Sequence, residues 1–506
     1  QACHVPTKRF IRPSTLAEIE SVSRTRRRAR QTRSLHYQAT NQGNRRRLFD
    51  RLESTIKLDQ LMNRIKLVLL FLLALITAAW LAADTLMPDP FGYFTFRSVF
   101  VQYSGLLGIA MMSVAMVLAT RPRWLERHLN GLDKMYRLHK WLGIGALIAS
   151  TAHWWFAKGT KWMVGWGWLT RPERKKDGAA QVLPAIEQWF RDQRGLAESI
   201  GEWAFYAAAI LIILALIKTF PYRWFKKTHN WLAVGYPALA WHSLILVKFS
   251  YWSQPVGWLT LILLIAGSVS AIMVITGRVG RCNRVVGQIE ELTHYPGLDV
   301  IEARIALREG WHGHAPGQFA FVTSKSGEGA HPYTIASAWN PSTPTVTFVV
   351  KALGDWTSQL KTWLKVGMRV SVEGPYGCFD FSDPAPRQVW IGAGIGVTPF
   401  IARMHSLAQQ GGEHNVDFFH VTRDVDQMAL DKLTADAAAA GVRLHLRLSS
   451  RDGHLTAEQI RTLVPEWRQA SFWFCGPTEF GQTLRRDFVS QGLPGARFHQ
   501  ELFEMR

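Results

Sequence analysis

Cysteine is scarce in this 506-residue chain: Cys3, Cys282, Cys378 and Cys475 are scattered, with no CxxC pair among them. That excludes a disulfide framework and a cysteine-built metal site; the thiols read as reduced and mostly structural, with Cys475 set aside. Acidic residues are also short, 38 against 59 Lys and Arg, for a net charge of +21. Residues 1–66 hold 16 Lys or Arg and 5 Asp or Glu, so about half of that excess precedes the first apolar run. Positive-inside placement and attraction to anionic lipid would produce this bias. No aromatic platform or known module accompanies the arm, so no nucleic-acid binding is expected. No cleavable signal peptide is expected either, because the first apolar run starts far into the chain.

What is present in quantity is apolar length. Hydrophobic residues make up 48% of the chain, with 22 Trp. Six stretches, at roughly 66–83, 98–119, 138–157, 200–217, 229–247 and 256–276, satisfy the length needed to cross a bilayer. Basic residues fill the loop between the second and third stretches (Arg121, Arg123, Arg127, Lys134, Arg137) and the loop between the fourth and fifth (Lys218, Arg223, Lys226, Lys227). Both loops, and the N-terminus with them, should be cytoplasmic. Residues 1–65 form a basic arm that receives no fold before about 48 and an interfacial helix near 48–65. After about residue 278 no further apolar run occurs; short alternating strands such as "DVIEARIAL" and "TVTFVVKAL" point to a small antiparallel barrel over 278–383. From 384 to 506, "RQVWIGAGIGVTPFIARMHSLA", "NVDFFHVTR" and "VRLHLRLSS" alternate strand and helix, the pattern of a parallel nucleotide-binding domain.

Ionisable groups inside a membrane are costly, yet the third stretch holds His139 and His153 and the fifth holds His229 and His242, with no carboxylate in either. A lone histidine there reads as a helix-end residue bonded to a carbonyl. Two pairs on two helices running in the same direction read differently. His139 lies level with His229 and His153 with His242, and each level offers two facing imidazoles, the ligand set of six-coordinate haem iron. Zinc is the competing reading, but it wants tetrahedral ligands close together, and the two levels stand about 20 Å apart. Fourteen residues return to within about 40° of the starting face, whereas thirteen return to about 220°. Gly235 and Pro237 lie within the thirteen-residue step, so the spacing predicts a local irregularity near Pro237, or His229 in a non-ideal first turn.

The turn "GAGIGVTPF" (392–400) sets glycines between strand and helix, where backbone can approach a phosphate at a helix N-terminus. "LGDWTSQL" (353–360) and "EGPYG" (373–377) are further Gly-bearing turns that could approach a pyrophosphate or ribose. With "HPYTIAS" (331–337), "FCGP" and the C-terminal "FHQELF", and with the His-x13-His and His-x12-His pairs, these motifs run in the order of the NADPH oxidase and ferric reductase superfamily, which the chain resembles over roughly 60–506. The resemblance implies a bundle of six transmembrane helices over 66–277, fused to a cytoplasmic FAD-binding antiparallel β-barrel and an α/β NAD(P)H-binding domain. It implies that His331, Tyr333, Thr334 and Ser337 hold FAD, that Gly354 and Thr357 lie by its diphosphate, and that Gly374, Pro375 and Gly377 line the flavin–nicotinamide boundary. Gly392, Gly394, Gly396, Thr398 and Pro399 would bind the dinucleotide, Cys475, Gly476 and Pro477 would lie beside the nicotinamide, and Phe503 would stack on the flavin. A buried core cysteine and a terminal packing residue are the plain alternatives for Cys475 and Phe503.

Arg423, Arg447 and Arg451 are placed for a 2′-phosphate, which favours NADPH over NADH. Arg97, Arg137 and Lys140 are candidate partners for haem propionates or lipid headgroups. The resemblance implies electron flow from NADPH through FAD and two haem b groups to an acceptor outside. The unequal histidine spacing resembles the superoxide-producing oxidases, which points to dioxygen, with a ferric chelate as the alternative. No EF-hand loop precedes the spans, so constitutive activity without an obligate protein partner is expected. A bacterial inner membrane is the expected location. A non-catalytic basic membrane anchor is the reading from another class.

Overall fold

The sequence dictates two textures, and a computed structural model of the chain, which describes residues 65–170, 184–217, 219–325, 329–411 and 414–501, contains both. The basic arm, nearly all of the expected interfacial helix and Phe503 lie outside the described residues. The first half is helical: α1 (Ile65–Leu81), α2 (Tyr93–Ala119), α3 (Arg123–Leu129), α4 (Leu132–Trp154), α5 (Thr160–Gly165), α6 (Ala185–Leu216), α7 (Tyr222–Leu246) and α8 (Pro255–Ile275). α2 packs on α4 and α8, and α7 packs on α6 and α8. Leu118, Leu132, Met135, Leu138, Leu142 and Ala146 bury the α2–α4 seam, while Tyr236 fills the space among α2, α7 and α8 and donates to or accepts from Ser113 at 2.6 Å.

Six helices occupy the six apolar stretches, but three of them, α2, α6 and α8, are by themselves long and apolar enough to cross a membrane. This corrects in part the expectation of six transmembrane helices over 66–277: three of the six are candidate spans by length and composition among the described residues. α1 is described over only 17 residues, and α4 and α7 open on the charged stretches "LDKMYRLHK" and "YRWFKKTHN", which dilutes their hydropathy. A second correction concerns α7. The helix is continuous from Tyr222 to Leu246 through Pro237, and His229 sits two turns inside it. The thirteen-residue step is met by giving the two rings different supports, described below.

The second half begins with six strands: β1 (Arg284–Tyr295), β2 (Val300–Leu307), β3 (Phe319–Thr323), β4 (His331–Thr334), β5 (Thr345–Lys351) and, after α9 (Asp355–Trp363), β6 (Arg369–Tyr376). They form an antiparallel sheet in the order β4-β3-β6-β1-β2-β5. An isolated antiparallel bridge between Ile335 and Phe348 brings its two edges together. Val285, Ile289, Ile305, Phe348 and Val372 point inward, as period-two alternation in β1 requires.

A parallel sheet follows, built from β7 (Arg387–Ala393), β8 (Val416–Thr422), β9 (Arg443–Leu448), β10 (Ala470–Cys475) and β11 (Phe498–Gln500) in the order β11-β10-β7-β8-β9. Helices α10 (Thr398–Gln410), α11 (Gln427–Ala439), α12 (Ser449–Asp452), α13 (Ala457–Leu463) and α14 (Thr478–Ser490) connect them. The order reverses between β7 and β10, and in such sheets ligands sit at the carboxyl ends of the strands beside that switch point.

Candidate functional site

Two histidine pairs face each other between α4 and α7. The ring centres of His139 and His229 are 5.8 Å apart and those of His153 and His242 are 6.1 Å apart. One metal between two opposed imidazole nitrogens, at about 2.0–2.1 Å from each, would put ring centres about 6 Å apart. Among the described residues no three His, Cys, Asp or Glu cluster to hold a metal, which removes the tetrahedral alternative there.

Three of the four rings are fixed by backbone carbonyls. His139 Nδ1 lies 2.9 Å from Ala115 O, His153 Nδ1 lies 2.9 Å from Val101 O, and His242 Nδ1 lies 2.8 Å from Ala197 O. A carbonyl can only accept, so each Nδ1 carries the hydrogen and each Nε2 keeps its lone pair for a metal. His229 is held otherwise: its ring stacks on Phe225 at 5.1 Å and its buried Nδ1 has no hydrogen-bond partner among the described residues. This is how α7 serves two levels without a break, one ring supported along its own helix and the other from α6.

At the level of His153 and His242 a cavity of about 540 Å³ separates the helices, lined by Arg97, Gly105, His153, Gly201 and His242 among others. A Cβ on Gly201 would stand 1.9 Å from His242 Nδ1, and one on Gly105 would stand 3.1 Å from the His153 ring. A side chain at Gly201 would collide with the His242 ring, whereas one at Gly105 would only crowd His153. Just beyond His153 the helix widens into a π turn, Trp155–Gly159. Arg97 locks it, donating to Phe156 O at 2.8 Å, Ala157 O at 3.0 Å and Thr160 Oγ1 at 3.1 Å. These bonds occupy Nε and one Nη2 hydrogen, and Arg97 also lines the cavity beside His153. Lys140 is exposed.

In the antiparallel sheet, His331 stacks on Trp356 with ring centres 5.0 Å apart, and Trp356 Nε1 donates to Tyr333 OH at 3.2 Å. Thr334 is buried. Two expected flavin ligands have structural duties. Thr357 Oγ1 accepts from the Leu353 and Gly354 N–H groups and caps α9, and Ser337 Oγ accepts from the Thr347 N–H. His314 donates from Nε2 to Ser337 O, and burial pushes its pKa down to about 4.

Gly374, Pro375 and Gly377 lie at the junction with the helical half. The Gly377 N–H donates to Glu126 Oε1 at 2.7 Å and Arg123 donates to the Gly374 carbonyl. Beside them Glu373, 2% exposed, receives Arg121 at 3.0 Å and Arg284 at 3.1 Å, with Tyr376 OH donating at 2.9 Å. Arg121 also lies over the Phe321 ring.

At the switch point of the parallel sheet Gly394 adopts φ +58°, a conformation that favours glycine. Gly396 passes so close to Cys475 that a Cβ would stand 2.2 Å from its carbonyl oxygen. Gly392 O is met by Nδ1 of the buried His420, Thr398 Oγ1 donates to Ile395 O, and Pro399 enters the first turn of α10. Gly476 and Pro477 join β10 to α14. Cys475 is fully buried, and burial together with the charge of Glu501 pushes its thiol well up. Of the three candidate arginines, Arg447 donates to the Asp452 and Gly453 carbonyls and Arg451 pairs with Asp452. Arg423 is exposed with no ion pair or side-chain hydrogen bond among the described residues.

Sequence reasoning missed Glu501. Its Oε2 is buried without a hydrogen-bond partner, and burial, with Asp133 adding and Lys134 opposing, pushes its pKa up to about 8. A raised carboxyl disfavours the folded ion, so its cost accumulates as pH rises from about 4.5 to about 8 and is complete above that. Glu501→Gln should therefore raise the flavin-release temperature at pH 8.5 and leave it nearly unchanged at pH 4.5. An equal shift at both values would contradict this reading of the site.

Two family models match this chain. One, a ferric reductase like transmembrane component, covers residues 104–240; the other, an FAD-binding domain, covers 288–379. The chain has the architecture of the NADPH oxidase and ferric reductase superfamily. The first match contains His139, His153 and His229, with His242 two residues beyond it. Among curated proteins the chain is similar to the toluate 1,2-dioxygenase electron transfer component of Pseudomonas putida, 28% identical over 198 residues, covering 37% of this chain and 58% of the relative. It is also similar to an NADPH oxidoreductase of Mycobacterium tuberculosis, 30% identical over 213 residues, covering 40% and 56%. The chain thus spans somewhat more than half the length of these relatives. Among solved structures it is similar to the flavohem-like FAD/NAD binding domain of a nitric oxide dioxygenase from Vibrio cholerae, at 22% identity, 43% and 98% coverage and a TM-score of 0.39.

Proposed function

We propose that this chain is an NAD(P)H-dependent oxidoreductase that moves electrons across a membrane, from cytoplasmic NADPH to an acceptor on the far side. The observation that carries this is the pair of histidine pairs, each about 6 Å between ring centres and each on the same two helices. In this reading all six long helices cross the bilayer, a bacterial inner membrane, and the two basic loops face the cytoplasm with both sheets. His139 with His229 would hold an inner haem b, and His153 with His242 an outer one. FAD would lie against His331, Tyr333, Thr334 and Ser337, with Gly354, Thr357, Gly374, Pro375 and Gly377 nearby. When bound, FAD would divide the electron pair of a hydride and the haems would pass single electrons outward.

The residues of the chain do the positioning. The three Nδ1–carbonyl pairs hold each Nε2 in its ligating tautomer. Gly392, Gly394 and Gly396 bring backbone to the dinucleotide, with Thr398 and Pro399 opening α10 beneath it. Arg423 would take a 2′-phosphate. Cys475, Gly476 and Pro477 would exclude water beside the nicotinamide, and Phe503 would cover the flavin.

Dioxygen, giving superoxide, is the acceptor that the histidine spacing favours; a ferric chelate is the second reading, favoured by the match of residues 104–240 to a ferric reductase like transmembrane component. NADPH-driven cytochrome c reduction, run with and without superoxide dismutase, separates them. Full inhibition supports superoxide; insensitivity with fast ferric-chelate reduction supports the second. Purified chain without flavin or haem absorbance would sink both and leave a membrane anchor.

A further inference from the structure

Three of the four facing histidines are braced by a neighbouring helix and the fourth is not. Ala115 O on α2 accepts from His139, Val101 O on α2 from His153, and Ala197 O on α6 from His242. His229 Nδ1 is buried without a hydrogen-bond partner among the described residues, and its ring rests on Phe225, one turn back on its own helix, at 5.1 Å and 23° between planes. An acceptor behind a ligating imidazole fixes the direction of the ring and raises the basicity of the nitrogen that faces the metal. Phe225 supplies part of the first and none of the second.

The stretch of helix around His229 is also the less firmly held. α7 opens at Tyr222 behind Pro221 with no side-chain cap, and the first buried residue among those described along it is Ala233, a turn beyond His229. Thr228 Oγ1 donates back to Trp224 O at 2.8 Å, a bond that slightly destabilises a helix. His139 stands in the opposite setting: Met135, Leu138 and Leu142 on its own helix are each 1% exposed or less and pack in the α2–α4 seam. At the other level His242 is wedged against α6, where a Cβ on Gly201 would stand 1.9 Å from its Nδ1. Segments with few buried contacts open first, and here such a segment carries a ligand.

We propose that His229 is the releasable ligand of this chain, so that the His139/His229 level exchanges its haem while the His153/His242 level keeps it, with Phe225 as the positioning residue that sets the difference. The proposal rests on the haem reading above. The step is ligand exchange: the bond from His229 Nε2 to iron breaks, the imidazole stays neutral with its hydrogen on Nδ1, and no electron moves. α2 ends four residues after Ala115, and Arg121 there meets Glu373 of the antiparallel sheet. Electrons from the sheets would therefore enter the helical half at this level, which makes it the point where haem supply limits activity.

The test follows haem transfer from the full chain in detergent to excess apomyoglobin by Soret absorbance, which needs neither NADPH nor an acceptor. Two phases of equal amplitude are expected, about tenfold or more apart, since a lost partner behind a ligand weakens a metal site by about 10–100-fold. His153→Leu should leave the fast phase and His139→Leu the slow one. Phe225→Gln sets an amide carbonyl on the neighbouring turn, within reach of His229 Nδ1, and should slow the fast phase severalfold; Phe225→Leu, apolar and without an acceptor, should not slow it. One phase for both haems, a fast phase that survives His139→Leu, or equal rates in Phe225→Gln and Phe225→Leu would overturn the proposal. The histidine variants decide the assignment even if Phe225→Gln fails to fold. A chain that binds no haem when supplied with it would instead sink the reading beneath the proposal.

Discussion

On the proposed electron path, His153→Leu should remove one of the two haems and cut reduction of an acceptor across the membrane by on the order of 100-fold, while NADPH-driven reduction of a flavin-level dye by the half that carries the sheets continues. The magnitude follows from losing a metal ligand outright, since even outer-shell partners cost 10–100-fold. The separation follows from position. His153 and His242, 6.1 Å apart, line the 540 Å³ cavity in the helical half of the chain, whereas His331, Trp356 and Tyr333 belong to the antiparallel sheet and α9. Leucine keeps apolar bulk on α4, so loss of dye reduction together with haem would mean that the substitution had unfolded the chain. Full retention of both haems would remove His153 from the ligand set.

Arg121→Ala combined with Glu126→Ala should slow NADPH-driven haem reduction by about 100-fold with the dye reaction largely kept, because misplacement by about 1 Å can cost that much. Arg121 follows the end of α2 at φ +55°, a conformation uncommon for a side-chain-bearing residue and costly enough to need support. The support is Glu373, buried and also paired with Arg284. Glu126, itself 6% exposed, holds the Gly377 N–H. These contacts pin the loop that carries Gly374 and Gly377 onto the helical half. A buried carboxylate stripped of one partner is destabilising by about 3–5 kcal/mol, so Glu373 would draw the loop toward Arg284 or water. Haem reduction at the unaltered rate would show that the clamp does not set the distance between the halves.

The features legible from the sequence are those built by local pattern. Apolar length located the helices, period-two alternation located β2 and β5, and the glycines of 392–396 located the turn that passes under Cys475. The fifth apolar stretch was harder: angular bookkeeping assumes that a ring leaves the helix at its Cβ direction, while His242 is steered by Ala197 O from α6 and His229 by Phe225. The bonds from Arg97 to Phe156 O and Ala157 O meet the chain within the π turn Trp155–Gly159, which no periodicity announces. The junction of Arg121, Arg123 and Glu126 with Glu373–Gly377 pairs residues about 250 apart in the chain. No spacing rule reaches that far. Glu501 was inside a motif already noticed, but the charges that act on it, Asp133 and Lys134, come from the helical half.

The most direct measurement encloses ferricyanide in liposomes that carry the full chain with the parallel and antiparallel sheets outside, then adds NADPH to the outer solution. Reduction of the trapped ferricyanide, lost in both His139→Leu and His153→Leu, is the predicted result. Reduced haem with the trapped ferricyanide untouched would contradict electron transfer across the membrane.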